Sequence, residues 1–391
     1  MAISILQTPA TCSLAQSPII FSIVESGPAL NSSSFQYVGE LYYWTGSQYY
    51  GSSSVPDYTL VKFPNSSNTG IFDLNRILNS TLTDLAEENP SNVKYYKMKF
   101  YWEYLSGSQY SQSAAINSTI FKAFDGYAIF PEPIGQDIAD KTPHWPLMTD
   151  GPVTQSAFLT NRGTSGVFAG DNGVGYLEPN QVYYRSNLGD MQYLITSSVF
   201  SSSYEVAQYP IGPSEAGFPI STSGLEWYSV TPQYFTQSLG ESIRYNIVCE
   251  QKYPNVRVKW KNRYGQFDYF NFNMVNRQGF QTTKRTYQPQ LGTWEGSTLS
   301  YNQYDSSTLN YISDSTQTIT VNTNWIPETY NDIFKQLLVS DEIYWIYNEA
   351  ADKLRPITIT SSNIQFKTGV VDKVIQYTFD FNWGQAYKLI I

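Results

Sequence analysis

The chain has 391 residues, a formal net charge of −9 and a sequence pI near 4.8. That acidic balance excludes the basic footprint of a nucleic-acid binder, and no run of about 18 apolar residues offers a membrane span. Charged residues make up only 15% and aromatics 16%, with 33 tyrosines, which is not a disordered composition and suits a β-rich protein of about two to four domains.

The first residues, "MAISILQTPATCSLAQSPII", lack the basic start and long apolar stretch of a secretion signal. The expectation is a protein made in a cytosol that stays there or leaves within a larger particle. Cys12 and Cys249 are too few and too far apart for a disulfide framework, and are expected to be free thiols behaving as small hydrophobes.

Strand signals dominate the chain. "PIIFSIV" (Pro18 to Val24), "FQYVGELYYW" (Phe35 to Trp44) and "YYKMKFYWEYL" (Tyr95 to Leu105) are β-branched or aromatic runs separated by Ser, Asn, Gly and Pro. Between the second and third, Ile71, Leu74, Ile77, Leu78, Leu82 and Leu85 recur at helical spacing, and Asn89–Pro90 closes the segment. The expectation for residues 1–130 is a β-sandwich with one inserted amphipathic helix. A Pro-rich polar stretch follows as a linker over 131–151.

Short strands resume in "SAFLTN", "VGYLEP", "QVYYRS" and "MQYLITSSVF", then in "IRYNIVCEQ", "NVRVKWKN" and "FDYFNFNM". Their spacing predicts a second β-sandwich over 152–279. Residues 280–391 are expected to form an α+β or sandwich domain. There Pro327 opens a helix whose stripe is Tyr330, Ile333, Phe334, Leu337 and Leu338. In "KVIQYTFDFNW", Ile375, Tyr377, Phe379, Phe381 and Trp383 alternate with polar residues, so one face is buried and the other wet. The predicted fold class is mainly β, with multi-domain antiparallel sandwiches and two short amphipathic helices.

"NRYGQFDYFNF" (Asn262 to Phe272) crowds aromatics around a glycine. Val256, Val258 and Trp260 alternate with Arg257, Lys259 and Lys261, and Phe270, Phe272 and Met274 with Tyr269, Asn271 and Asn273. The stretch therefore reads as a hairpin turning on Asn262 to Gln266, with Gly265 supplying positive φ. Its rings fall on a packing face. They are read as core rather than as an exposed sugar-stacking cage.

The order of "QSPIIFSIV", "FPNSSNTGIFDLNRIL", "YNIVCEQKYPNVRVKWKNRYGQFDYFNF" and "IFKQLLVSDEIYWIYNEAADKLRPITI" resembles virion structural proteins of tailed bacteriophages that infect Bacteroidetes. The resemblance touches all three segments, roughly from Pro18 to Trp383. It implies an assembly role in a tail, baseplate or spike, and it carries no catalytic residues.

Signals for chemistry are sparse. His144, the one histidine, lies in "KTPHWP" without a nucleophile motif. Clustered His or Cys for a transition metal are absent from the sequence. "GDNGVG" (Gly170 to Gly175) lacks EF-hand spacing and a surrounding βαβ unit, and is read as a turn. Glu103, Asp125 and Asp268 are the carboxylates to consider for glycoside hydrolysis, with Glu103 read as an outward strand position. No catalytic residue, cofactor or metal site is expected. The expected function is a virion structural protein of a tail or baseplate, assembled in the host cytoplasm. Its partners would be other virion proteins and copies of itself. The alternative is a receptor-binding spike or fibre recognising host surface glycans.

Overall fold

The computed structural model describes residues 3–45, 55–82, 93–129, 147–169, 181–189, 191–195, 205–234, 237–238, 242–248, 252–350, 353–361, 364–366, 375–384 and 387–390. His144, Cys249, most of the expected linker and the Gly170 to Gly175 turn lie outside these residues. The fold is mainly β, with two short α-helices among the described residues. It divides into two compact units: Met1–Val248 with Lys261–Asp268, and Cys249–Trp260 with Tyr269–Ile391. The two units alternate in sequence around the hairpin. The hairpin strands join the C-terminal sheet, while the hairpin's turn counts with the first unit.

The first unit begins with two facing sheets. Strands Ser4–Gln7, Ile20–Val24 and Thr69–Asp73 form one; Cys12–Leu14, Phe121–Phe124, Val93–Ser106, Gln36–Trp44 and Tyr58–Lys62, in that order, run through the other. Alternation dictates which side chains meet between them. Phe21, Ile23 and Phe72 come from the smaller sheet, and Tyr37, Leu41, Met98 and Phe100 from the larger. Each is fully shielded from solvent, and burying such a side chain contributes about 1.5–3 kcal/mol.

The inserted helix is shorter than the periodicity predicts. Thr69–Asp73 is a strand, with Phe72 in the core and Ile71 49% exposed, so Ile71 does not belong to the helical stripe. The helix spans Asn75–Thr81 and buries Leu78, with Leu74 and Leu82 buried at its two flanks. Asp73 Oδ1 starts it by accepting from the Asn75 N–H at 3.2 Å. Ser80 and Thr81 hydroxyls bond back to the carbonyls of Ile77 and Leu78, a competition that suits a helix end.

Further along the same unit, Thr154–Ala157, Ile243–Ile247, Trp227–Tyr234, Gln181–Ser186 and Met191–Ile195 form one sheet, and Thr164–Ala169 pairs with Glu205–Pro210. Phe218 packs edge-on to Tyr184 and Tyr228 with centroids 5.8 and 5.0 Å away. The buried hydroxyls of these tyrosines donate to the carbonyls of Pro210 and Ile211, so aromatic volume is buried without stranding a polar atom.

In the second unit one sheet runs in the order Phe267–Phe272, Val256–Lys261, Ile343–Asn348, Lys353–Ile359, Thr378–Trp383, Leu309–Asn322 and Arg277–Tyr287. The predicted stripe covers it. Pro327 precedes a 3₁₀ turn, Glu328–Tyr330, that leads into the helix Asn331–Val339. Phe334 packs against Phe270, Tyr377 and Phe379 at 5.0, 5.8 and 5.1 Å. Trp260, Phe272, Phe379 and Phe381 are fully buried in the same core. The reading of the hairpin aromatics as core residues is correct.

Candidate functional site

Two places concentrate unusual chemistry: the hairpin turn of the first unit and a ribbon of the second. In the turn, Asn262 does most of the fastening. Its Oδ1 accepts from the N–H groups of Tyr264 and Gln266 at 3.0 and 3.1 Å, while its Nδ2 donates to the Met148 carbonyl at 2.8 Å. Gly265 adopts φ +70°, and a Cβ there would lie 2.7 Å from the Asp125 carbonyl oxygen, so glycine is required on both counts. The Tyr127 N–H donates to the Arg263 carbonyl at 2.9 Å.

Three carboxylates surround this turn. Asp125 pairs with Lys261 Nζ at 3.1 Å and accepts from Gln16 Nε2. Asp150 takes the Arg263 guanidinium at 2.5 Å and the Tyr264 hydroxyl at 2.9 Å, and the guanidinium lies over the Tyr264 ring. Asp268 is 7% exposed and accepts from the Thr149 hydroxyl at 2.5 Å. Burial pushes its carboxyl up to about 7; the Thr149 hydroxyl opposes that shift and the Asp150 charge adds to it. Burial and the Asp150 charge likewise push the Tyr264 hydroxyl well above its ordinary value.

Of the carboxylates considered from sequence, Asp125 and Asp268 come to the same turn. Glu103 is held elsewhere, accepting from Gln36 and Gln112 Nε2 at 2.6 and 3.0 Å across the N-terminal sheet. Asp150 is the member that sequence reading missed, because it fell inside the expected linker. The described end of that linker is packed: Leu147 bridges to Val167, and Met148 is buried against Cys12, Phe124 and Val206. The only advance signal was Thr-Asp-Gly-Pro (Thr149 to Pro152), a turn sequence ahead of a strand. The arrangement neutralises cations and satisfies a tight turn. Among the described residues no cluster of His, Cys, Asp and Glu suited to a metal occurs, and no helix is long and apolar enough to cross a membrane.

The second place is a ribbon. Arg277–Tyr287 pairs antiparallel with Leu309–Asn322, and a small hairpin of Thr293–Glu295 and Thr298–Ser300 lies between them in the chain. All eleven residues of Arg277–Tyr287 are exposed. On the partner strand, Val321 and Ile319 are fully buried, Ser315 is still 6% exposed where Tyr387–Ile390 pairs along residues 312–315, and Leu309 is 42% exposed. The outer strand is thus exposed along its whole length, and with its partner strand and the small hairpin it forms an arm. Along it Phe280, Tyr287, Trp294, Tyr301 and Tyr304 are 61, 47, 62, 68 and 85% exposed. The arm, 277–322, holds three basic residues (Arg277, Lys284, Arg285) and three acidic ones (Glu295, Asp305, Asp314), so it is neutral and the −9 lies elsewhere.

Aromatics such as Tyr37, Tyr96, Trp260 and Phe379 fill cores; the arm carries Phe280, Tyr287, Trp294, Tyr301 and Tyr304 in solvent, and Phe63, Tyr110 and Trp325 are exposed elsewhere. Neither a protein-family model nor a curated protein sequence matches the chain.

Proposed function

We propose that this chain is a bacteriophage virion structural protein, an assembly component of a tail or baseplate that works through protein–protein interfaces. The observation that carries the reading is the arm, whose exposed rings and neutral charge are the composition of an interface core. Exposed rings gathered in one stretch of chain mark a partner site more often than rings scattered singly do. The motif order that resembles phage virion proteins supplies the setting, with assembly in the host cytoplasm and other virion proteins as partners. The test is mass spectrometry of purified particles, in which the chain is expected at stoichiometric abundance. Absence from particles overturns the reading.

A second reading, a receptor-binding spike or fibre that touches host glycans, draws on one observation. Trp294, Tyr301 and Tyr304 stand exposed close together in sequence at the far end of the arm, and sugar faces stack on exposed rings. Adsorption assays separate the two. An assembly part added in excess leaves phage adsorption unchanged, whereas a receptor binder blocks it.

A further inference from the structure

We propose that the arm strand Arg277–Tyr287 pairs edge to edge with the same strand of a second copy, antiparallel about a twofold axis at Thr282. The inference rests on the assembly reading and names its partner. Among the described strands, Arg277–Tyr287 ladders with Leu309–Asn322 and terminates the sheet order. Its outer edge is long, and such edges template pairing with another chain. The one irregularity in the ribbon falls on the other strand: Arg285 pairs with Ile312 and Thr286 with Asn310, which leaves Tyr311 as the extra residue. The outer strand is therefore regular throughout its eleven residues.

Charge decides the register. A twofold antiparallel pair centred on Thr282 uses the whole strand and sets Arg277 opposite the second copy's Tyr287. It also sets Phe280 opposite the second copy's Lys284, and Gly279 opposite its Arg285. Each aromatic on the strand then faces a cation on the same side of the ladder, where opposite residues are about 5 Å apart. By symmetry these contacts occur twice, on both faces, and no like charges are opposed. Sliding the pair two residues toward the amino end sets Arg277 against the second copy's Arg285, and sliding it four the other way sets Lys284 against Lys284. Lysine and arginine on an edge ordinarily deter pairing; here the register turns them into partners.

Size agrees. Eleven paired residues extend about 37 Å. The antiparallel arrangement carries each arm's outer end, with Trp294, Tyr301 and Tyr304, past the base of the other arm. Phe280 and Tyr287, the two rings on the pairing strand, are 61 and 47% exposed and lie outside the buried core. The arm is neutral, so two arms meet without net repulsion although the whole chain is acidic.

The test uses the full chain. Sedimentation equilibrium at micromolar concentration is expected to give a dimer, twice 44.4 kDa, and Thr282→Lys, which places two ammonium groups at the axis, is expected to give a monomer with an unchanged circular dichroism spectrum. Thr282→Cys is expected to form a reducible covalent dimer under mild oxidation, and Lys284→Cys, off the axis, to form far less. A dimer that survives Thr282→Lys, or equal cross-linking at both positions, overturns this pairing and leaves the assembly reading standing. A monomeric wild-type chain that is also missing from purified particles overturns both. A monomer found in particles overturns the self-pairing alone and assigns the arm to a different virion protein.

Discussion

Arg263 Nε lies 2.5 Å from the Asp150 carboxylate, and the Tyr264 hydroxyl donates to that carboxylate from beneath the guanidinium. Both charged groups are mostly buried, so the pair holds because each partner is present. Asp150→Ala is expected to cost about 3–5 kcal/mol in urea denaturation, because it leaves a buried guanidinium without its counter-charge. The double variant Asp150→Ala with Arg263→Met is expected to recover much of that loss. A double variant as unstable as the single one would show that the cost lies in packing rather than charge.

Asp268 makes stability depend on pH in an unusual direction. Its carboxyl is raised from 3.8 to about 7, so the folded chain holds this proton more tightly than the unfolded chain. The stabilisation is complete below about 4 and is lost progressively as pH rises through about 7. Asp268→Asn cannot ionise and keeps an acceptor for the Thr149 hydroxyl. Relative to wild type it is expected to gain up to about 4 kcal/mol between roughly pH 4 and pH 8, measured by urea denaturation at both values. A constant difference between the two proteins would show that Asp268 stays ionised throughout.

Local pattern made much of this fold legible, and distance in sequence hid the rest. The hairpin could be read because Val256, Val258, Trp260, Phe270 and Phe272 alternate on either side of a turn with one glycine. The stripe Tyr330, Ile333, Phe334 and Leu337 could be read because it repeats at 3.6 residues and is indeed buried. Ile71 misled because a strand ends at Asp73 directly before a helix, so one apolar run serves two periods. Asp150 could not be read, since its partner Arg263 is 113 residues away. Alternation was silent about the arm as well: an exposed strand keeps the same period as a buried one, and only burial distinguishes it.

Gly126 tests how closely the hairpin turn is seated. Its φ is +132°, and a Cβ there would lie 2.2 Å from the Arg263 carbonyl oxygen. That carbonyl accepts from Tyr127, so it cannot retreat without losing a bond. Gly126→Ala is expected to lower stability by about 1–3 kcal/mol. Gly107 serves as control, because it shares positive φ yet has open space around it. Equal losses at both positions, measured by thermal denaturation, would assign the effect to backbone strain and remove the close approach as its cause.

The exposed rings of the arm offer the sharpest separation between folding and function. Trp260 and Phe272 are fully buried, and either changed to alanine is expected to cost about 3–5 kcal/mol and to yield insoluble protein. Trp294 and Tyr304 belong to the same aromatic class but are 62 and 85% exposed. Replacing both with serine removes little packing, so the melting temperature is expected to stay within the change that about 0.5 kcal/mol produces. Their loss should appear in assembly instead: the double variant, supplied in place of wild type during infection, is expected to be depleted from purified particles. If it enters particles normally but those particles adsorb poorly to host cells, the rings face the receptor and the glycan-binding reading replaces assembly. A variant that melts far below wild type would instead place the two rings in a core.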